Sequence, residues 1–349
     1  MSFEICNIDR LKNLIDNREY IDNLIFNVNE NINHLLFCLT DLTYLKFGDN
    51  YDQYMDLSKL TNLKYLNFGY FYNHPTELSN LNKLTHLYFG DEYNQRTNLY
   101  KLTNLTYLNF GNKYNQFTGI FNSTNLCYLY FGNEYNQPTD FYNSTALQEI
   151  SFGKNYDQQT DLNNSINLKK ILFGCFYNQQ IDLSQFINLT FLKFGDYYNQ
   201  STNLSQLINL QHLIFGWRYD QSTNLSQLIN LKCLKFSGYY NQLTDLSSLS
   251  NLTYLEFGQH YNQITDLSQL QKLQSLEFGS DYDKITDLSF LSNLKYLVFG
   301  YNFNQHIEIS NSNKLEHLRI GENYDKLIDL SKCINLDKSK FKNKPNFVL

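Results

Sequence analysis

The sequence is poor in alanine, which favours long helices, in proline, which interrupts helices and strands, and in charged residues. Its 349 residues include a single alanine, Ala146, three prolines and 18% charged residues. Alanine is the best helix former and asparagine, with 48 copies, is among the poorer ones, so an all-helical fold is disfavoured. Because 42% of the residues are hydrophobic and few are charged, an electrostatically expanded disordered chain is also excluded.

Two classes of binding protein lack the features that they require. The formal net charge is −6, so the basic surface of a general nucleic-acid binder is missing. No apolar run approaches the ~18 residues of a membrane span, and the first residues lack the apolar segment of a signal peptide. We therefore expect an intracellular protein that binds neither nucleic acid nor a membrane.

Catalytic and metal-binding patterns are equally scarce. The six cysteines form no Cys-x-x-Cys pair, which argues against a zinc site or a disulfide framework and favours reduced thiols. The seven histidines show no metal-binding spacing, and no phosphate-binding loop or nucleophile elbow occurs. The recurrent aspartate of the Thr-Asp-Leu-Ser segments is explained by capping of a helical turn. We expect a protein that is not an enzyme and has no cofactor.

What the sequence does contain is an internal repeat of constant length. Phenylalanine recurs every 21 residues from Phe47 to Phe299, and Ile320 closes a series of fourteen repeats without an insertion. The next residue is glycine in every repeat except the one with Ser237. Leucine stands five positions before the phenylalanine, and tyrosine, or once Phe303, stands four positions after it. Such regularity is typical of a repeat protein.

A coiled coil has to be considered because 21 residues equal three heptads. The seven recurrent apolar positions of one repeat fall on seven different heptad positions, so the helix would have no apolar seam. A solenoid rung, which turns side chains inward around a whole circuit, remains. A single rung cannot bury enough apolar surface to fold alone, so the stack is the folding unit. The pattern predicts a right-handed coil of about fourteen 21-residue rungs.

The chemistry of one repeat predicts the shape of its rung. Alternation suits a short strand with Leu66 and Phe68 inward and with Tyr65 and Asn67 outward. Gly69 then suits a bend or bulge, and the following tyrosine would fill the corner. These strands would form a parallel sheet on a concave face. The Thr-Asp-Leu-Ser segments predict short 3₁₀ or α turns on the convex face.

Two asparagine columns are expected to bond successive rungs. The residue after the corner tyrosine is always Asn or Asp, and its short side chain can bond backbone groups of the turn. Stacked in every rung, these side chains would form a polar ladder. A second column, which precedes the leading leucine, includes Asn62, Asn104 and Asn167.

The motif Leu-x-x-Leu-x-Phe-Gly-x-x-Tyr-Asn-Gln resembles the FNIP variety of leucine-rich repeat, found in amoebal proteins and in giant viruses that infect amoebae. The resemblance covers about residues 24–330, and segment 262–268 is also similar to the internalin-type repeat. It implies a leucine-rich-repeat solenoid in a host cytoplasm. Some members of the family carry an F-box that recruits a ubiquitin ligase. Residues 1–40 show no F-box pattern, so that role is not implied here.

The ends of the chain are expected to be caps around a solenoid of residues 41–331. An N-terminal cap at residues 1–40 would combine a helix around 9–17 with a degenerate rung that turns Ile21, Leu24 and Phe26 inward. At residues 332–349 the pattern fails and leaves a C-terminal cap and a basic tail. We expect this tail to be solvated and frayed, with an anionic partner as the alternative; its lysines are Lys332, Lys338, Lys340, Lys342 and Lys344.

The outward strand columns are the expected place of function. Three positions before the phenylalanine, seven of the fourteen residues are aromatic: Tyr44, Tyr65, Tyr107, Tyr128, Phe191, Tyr254 and Tyr296. Exposed aromatic residues with adaptable polar neighbours are typical of protein-binding surfaces, which predicts a non-catalytic interaction scaffold. The alternative is that cross-strand stacking only stabilises the sheet, in a structural or glycan-binding module.

One patch stands out by its composition. Repeats seven to ten place the single tryptophan among aromatic and basic residues at outward or rim positions, and such residues are enriched at interaction hot spots. The hypothesis is that a monomer of this chain binds a protein partner through this patch. If the resemblance to giant-virus proteins holds, the partner is a host protein. The patch consists of Phe176, Phe191, Tyr197, His212, Trp217, Arg218 and Tyr239.

Overall fold

The computed structural model describes residues 2–118, 120, 124–309, 311–342 and 345–349. It divides into two units, Met1–Tyr177 and Asn178–Leu349. The first unit contains helices α1 (Ile8–Asp16) and α2 (Asn33–Leu36) and the strands β1 (Ser2–Ile5), β2 (Asn23–Phe26), β3 (Tyr44–Phe47), β4 (Tyr65–Asn67), β5 (His86–Tyr88), β6 (Tyr107–Asn109), β7 (Tyr128–Tyr130), β8 (Glu149–Ser151) and β9 (Lys170–Leu172).

The second unit also consists of short strands in successive rungs, but it ends in a different set of elements. A 3₁₀ helix, Lys338–Phe341, follows its repeats. Its strands are β10 (Phe191–Lys193), β11 (His212–Ile214), β12 (Cys233–Lys235), β13 (Tyr254–Glu256), β14 (Ser275–Glu277), β15 (Tyr296–Val298), β16 (His317–Arg319), β17 (Ile328–Asp329) and β18 (Phe347–Val348).

Each unit forms a parallel sheet whose strands pair in chain order. In the first unit Tyr65 is opposite Tyr44, and in the second His212 is opposite Phe191, one repeat apart in both cases. The strands of β1–β9 and of β10–β16 follow one another in this way. The predicted 21-residue rung and its parallel sheet are therefore confirmed.

The recurrent apolar columns form the interior, as predicted. In the rung of β4, Leu63, Leu66, Phe68 and Tyr72 are all buried. The corner tyrosines stack on one another from rung to rung; the ring centroids of Tyr72 and Tyr93, for example, lie 6.1 Å apart with nearly parallel planes. Because aromatic side chains bury large areas, this column contributes much of the apolar surface that each rung removes from water.

Both predicted asparagine ladders are confirmed. Asn115 Oδ1 accepts hydrogen bonds from the Asn136 amide, at 3.0 Å, and from Gln137 Nε2 of the next rung. In the second column, Asn104 Nδ2 donates to the Asn82 carbonyl at 2.7 Å. The ladders satisfy turn donors and acceptors that the short strands leave unpaired.

The recurrent glycine is required by close backbone approach. A Cβ atom built on Gly153 would lie 1.7 Å from the Gly132 carbonyl oxygen, so these two corners pass too closely for a side chain at this position. Where Ser237 replaces this glycine, Gly238 follows at φ +45°, in the left-handed region. The main reason for glycine at this position is therefore the close contact between rungs, and the bend suggested by the sequence is a lesser one.

The turns opposite the sheet have 3₁₀-type hydrogen bonds, as predicted. The Leu249 amide bonds to the Leu246 carbonyl at 3.0 Å, and the Leu252 amide bonds to the Leu249 carbonyl at 2.9 Å. Asp245 Oδ1 caps the turn by accepting from the Ser247 amide at 2.9 Å. The turns do not extend into helices in these rungs.

The two ends differ in how closely they follow the sequence expectation. The helix expected around residues 9–17 is α1, and the inward residues of the degenerate rung are buried. The expectation of a frayed C-terminal tail is wrong. Phe341 and Phe347 are buried with ring centroids 5.0 Å apart, and β18 pairs with β17, because the last apolar residues cover the end of the stack. Lys344 lies outside the described residues.

Candidate interaction surface

The outward face of the first unit's sheet carries a continuous set of rings, which we call the ring array. Tyr65 stacks on Tyr44 with ring centroids 4.3 Å apart, and Tyr88 lies 4.7 Å from Tyr107. A ring of one outward column also contacts a ring of the other column on the next strand, as Tyr65 contacts Tyr88 and Tyr107 contacts Tyr130. The array consists of Tyr44, Tyr65, His86, Tyr88, Tyr107, Tyr128 and Tyr130.

The array combines apolar rings with neutral hydroxyl groups. Burial raises the pKa of Tyr88 well above its usual range, and the neighbouring phenols of Tyr107 and Tyr65 add to the effect. Burial also raises the pKa of Tyr130, with a further contribution from the Glu149 carboxylate. Tyr88 also forms hydrogen bonds with Tyr65 and Tyr107, and Tyr130 forms one with Glu149, so these hydroxyl groups hold the rings in place within the sheet face.

The corner side of the second unit carries a second cluster, the rim row, made of Tyr197, Trp217, Arg218, Tyr239, His260 and Asp281. The Arg218 guanidinium lies 4.2 Å from the centre of the Tyr197 ring, which is a cation–π distance. Trp217 packs edge-on against Tyr239 at 6.1 Å, and Tyr239 stacks on His260 at 5.0 Å. His260 Nδ1 lies 2.7 Å from Asp281 Oδ2.

Gly238 gives the tryptophan its place in this row. A Cβ atom at Gly238 would lie 2.6 Å from Cδ2 of the Trp217 indole. The ring therefore packs over bare backbone and still leaves 44% of the residue exposed. An exposed tryptophan held by packing loses little conformational freedom when it binds, which favours a hot spot.

The structure distributes the seven predicted patch residues over three places. Tyr197, Trp217, Arg218 and Tyr239 form part of the rim row. Phe191 and His212 lie on the sheet face of β10 and β11, with ring centroids 5.6 Å apart. Phe176 lies at a corner of the first unit, 37% exposed, with Lys154 Nζ 5.8 Å from its ring centre.

Two features of this surface were missed by the sequence reasoning. His260 and Asp281 extend the rim row, and their position three residues after the strand phenylalanine would have indicated it. The ring array is denser than the predicted patch, because Tyr88 and Tyr130 from one column fit between rings of the other. Each column alone shows only part of this set.

Part of the second unit's sheet face is ionic rather than aromatic. The Tyr254 hydroxyl donates to Glu256 at 2.5 Å and to Glu277 at 3.2 Å. Lys235 Nζ lies 2.7 Å from Glu256. These contacts link side chains of three neighbouring strands.

In the part of the chain that the structure describes, no three His, Cys, Asp or Glu side chains are grouped so that they could hold a metal ion. No helix in the same ranges has the length and apolar character needed to cross a membrane.

Solved structures with the same architecture show what this chain is similar to. A leucine-rich repeat protein of Leptospira interrogans is 18% identical with a TM-score of 0.65, covering 96% of this chain and 93% of that one. The functional domain of InlJ from Listeria monocytogenes is 20% identical with a TM-score of 0.64, covering 84% and 69%. The giant-virus protein CroV588, a circular leucine-rich repeat protein, is 30% identical with a TM-score of 0.61, covering 88% and 54%.

These likenesses define the architecture. The chain spans about half the length of CroV588 and nearly all of the Leptospira protein. No protein-family model matches the chain, and no curated protein sequence matches it. With the register and the buried columns described above, the fold is a leucine-rich-repeat solenoid.

Proposed function

We propose that this protein is a non-catalytic interaction scaffold that presents the aromatic sheet face to a protein partner. The observation that carries the proposal is the ring array, with its seven contiguous rings on an outward sheet face. Tyrosine offers a large apolar contact, a hydroxyl donor and little rotamer entropy, which are properties of protein-binding surfaces. Solenoids use such extended faces for recognition.

The repeat motif supports a more specific assignment of the scaffold to a type of leucine-rich repeat. We assign the repeats to the FNIP variety, with Leu63, Leu66, Phe68, Gly69 and Tyr72 as one instance of its motif. Proteins with this motif occur in amoebae and their giant viruses, so the partner is a protein of an amoebal host. The chain would act as a monomer in the host cytoplasm, with a cap at residues 1–40, a solenoid at 41–331 and a C-terminal cap at 332–349.

The rim row provides a second contact region within the same proposal, with Phe191 and His212 on the sheet face of the same unit; Phe176 would act separately, at a corner of the first unit. Trp217, Tyr239 and Arg218 are residue types that dominate hot spots, and their mutual packing fixes their orientation before binding.

Affinity capture from amoebal lysate with mass spectrometry tests the proposal. The ring-array variant is Tyr88→Asn, Tyr107→Ser, Tyr130→Asn, and the rim variant is Phe191→Ser, Trp217→Ser, Tyr239→Asn. Each new residue already occupies the same column in another rung, as Asn67, Ser275, Ser280 and Asn302 do, so the fold should be kept. The control is Tyr142→Asn, which removes an aromatic side chain that is 70% exposed on a turn.

The proposal expects a protein that the wild type and the control recover and the ring-array variant loses. Loss only in the rim variant would move the contact to the second unit, to the rim row or to the sheet face at Phe191. Equal recovery by all four baits would overturn the proposal and favour rings that only stabilise the sheet. A glycan-binding module would instead show saturable quenching of Trp217 fluorescence by a sugar.

A further inference from the structure

Three successive rungs of the second unit expose large aliphatic side chains at one position. Leu243, Ile264 and Ile285 are 72%, 74% and 75% exposed. They stand in the segment that leads from the asparagine ladder to the capped turn, and they form what we call the aliphatic stripe. Ser222 precedes the stripe in this column and His306 follows it. Exposed aliphatic groups in consecutive rungs indicate a contact surface rather than scattered surface residues.

A row of carboxylates runs beside the stripe. Asp245, Asp266 and Asp287 stand two residues after the three aliphatic residues, and the buried threonine between each pair directs both side chains outward. In each rung one carboxylate oxygen accepts from a serine amide at 2.9 Å, which fixes the position of the group. Hydrogen bonds from the amide and the hydroxyl of that serine lower the pKa of all three carboxyls, which keeps them negatively charged.

The charge of this surface is not balanced locally. The segments 241–247, 262–268 and 283–289 contain four aspartates and one lysine, Lys284, which leaves a net charge of −3. Within the described residues none of Asp245, Asp266 and Asp287 takes part in an ion pair. The surface therefore complements an occupant that combines an apolar row with a parallel basic row.

The arrangement of the two rows favours one form of occupant. The corner rings of Tyr240, Tyr261 and Tyr282, three residues before the stripe positions, lie 6.1 Å apart from rung to rung, and one turn of an α-helix advances about 5.4 Å. A helix lying along the stack can therefore place about one apolar side chain on each of the three rungs through its i, i+4, i+7 positions, with a basic row beside it on the same side. An extended strand alternates its side chains between opposite faces, so it presents a single row and cannot contact both rows of the surface.

We propose that the aliphatic stripe and its aspartate row form a docking site for a basic amphipathic helix of a partner protein. Leucine-like residues of the helix contact Leu243, Ile264 and Ile285. Lysine or arginine residues on its flank pair with Asp245, Asp266 and Asp287. This surface shares no residue with the ring array or the rim row, so it is a second site whose test is independent of the proposed function.

Synthetic helical peptides provide the probes. The first has leucine at i, i+4, i+7 and i+11 with lysine on one flank, and its twin has glutamate on that flank. Binding to the full chain is followed by fluorescence anisotropy. Two variants are compared with the wild type. The stripe variant is Leu243→Ser, Ile264→Ser, Ile285→Ser, and the aspartate variant is Asp245→Asn, Asp266→Asn, Asp287→Asn.

The protein itself shows that both variants can fold. Ser222 and Asn224 occupy the two columns in a neighbouring rung, and Asn224 Oδ1 keeps the turn bond to the Ser226 amide at 3.0 Å. The matched control is Asp140→Asn, Asp161→Asn, Asp182→Asn. It removes three charges from the same column, in rungs whose outward neighbours are Pro138, Gln159 and Gln180.

The proposal expects one lysine peptide to bind per chain, the glutamate twin to fail, and binding to weaken as salt rises. The aspartate variant should lose about tenfold in affinity, and the stripe variant should lose binding altogether. Equal affinity for the aspartate variant and its matched control would overturn the proposal. So would a wild-type dimer that the stripe variant abolishes, because the stripe would then be covered by a second copy of this chain.

Discussion

The hydroxyl oxygen of Tyr240 lies 2.6 Å from Thr244 Oγ1, and both residues are buried. Thr244 Oγ1 in turn donates to the Gln242 carbonyl at 3.1 Å, so the tyrosine is the donor in the pair. The arrangement recurs along the stack, as between Tyr72 and Thr76. Where the corner residue is Phe303, the threonine position holds Ile307. Three other rungs keep the corner tyrosine but place Met55, Ile181 or Ile328 at the threonine position, so the tyrosine–threonine bond belongs to part of the stack and not to every rung.

This pairing predicts the effect of removing the threonine hydroxyl. Thr244→Val leaves the buried Tyr240 hydroxyl without its acceptor and should cost about 1–3 kcal/mol of unfolding free energy. Adding Tyr240→Phe should restore part of the loss, because it copies the apolar pair of the rung of Phe303. Urea unfolding of both variants checks this. A double variant no more stable than Thr244→Val would contradict the explanation.

The glycine column predicts a severe local effect of a single methyl group. In Gly153→Ala the new Cβ meets the Gly132 carbonyl oxygen, a backbone atom that cannot move without shifting the neighbouring rung. We expect a loss of at least about 1–3 kcal/mol, measured by urea unfolding. Asn155→Ala, an exposed change in the same rung, should stay within about 0.5 kcal/mol. Similar stability of the two variants would mean that the corners are farther apart than described.

The asparagine ladder predicts that Asn115 can be replaced by aspartate but not by alanine. Asn115→Ala leaves the Asn136 amide and Gln137 Nε2 without their acceptor, at a cost of about 1–3 kcal/mol. Asn115→Asp keeps an acceptor oxygen, as Asp220 and Asp283 do in their rungs. Amide hydrogen exchange should accelerate at Asn136 in the alanine variant only. Unchanged protection there would argue against the ladder bond.

The buried tyrosines predict unfolding at high pH. Burial raises the pKa of Tyr93, Tyr198 and Tyr261 to about 12, whereas the unfolded value is about 10. The folded state favours the protonated phenols, so their contribution to stability is complete below pH ~10 and is lost as the pH rises toward about 12. The circular dichroism signal of the folded sheet should be lost together with the last part of the rise in tyrosinate absorbance, which comes from the buried residues. A signal that is unchanged after the absorbance shows all 29 tyrosines ionised would contradict this.

The repeat made most of the fold predictable, and the exceptions have physical reasons. Ile5 lies 21 residues before Phe26, so β1 stands in register with β2. Without a leading leucine, however, this extra strand was not recognised. The register gave no guide to β18, because Phe347 pairs with Ile328 at a spacing that departs from the repeat.

The candidate surfaces were less predictable than the core. Most inward columns repeat one environment and keep one residue type, although Ser144, Ser165 and Phe186 replace leucine in the buried column of the turns. The environment of an outward ring such as Tyr88 instead depends on rings in the other column, Tyr65 and Tyr107, which the pattern of one column does not reveal. The aliphatic stripe depends on exposure, because a leucine in a repeat rich in buried leucines gives no sign of facing solvent. Leu243 and Leu246 differ in this respect only once the rung is built.

The most direct test of the scaffold is photo-crosslinking from the ring array. A benzophenone amino acid replaces Tyr107 at the centre of the array, and the matched site is Tyr142 on an exposed turn. After irradiation in amoebal lysate, the account predicts a specific protein adduct from position 107 and none from position 142. No adduct above background at position 107, or the same adducts from both positions, would contradict the claim that the aromatic sheet face is the binding surface.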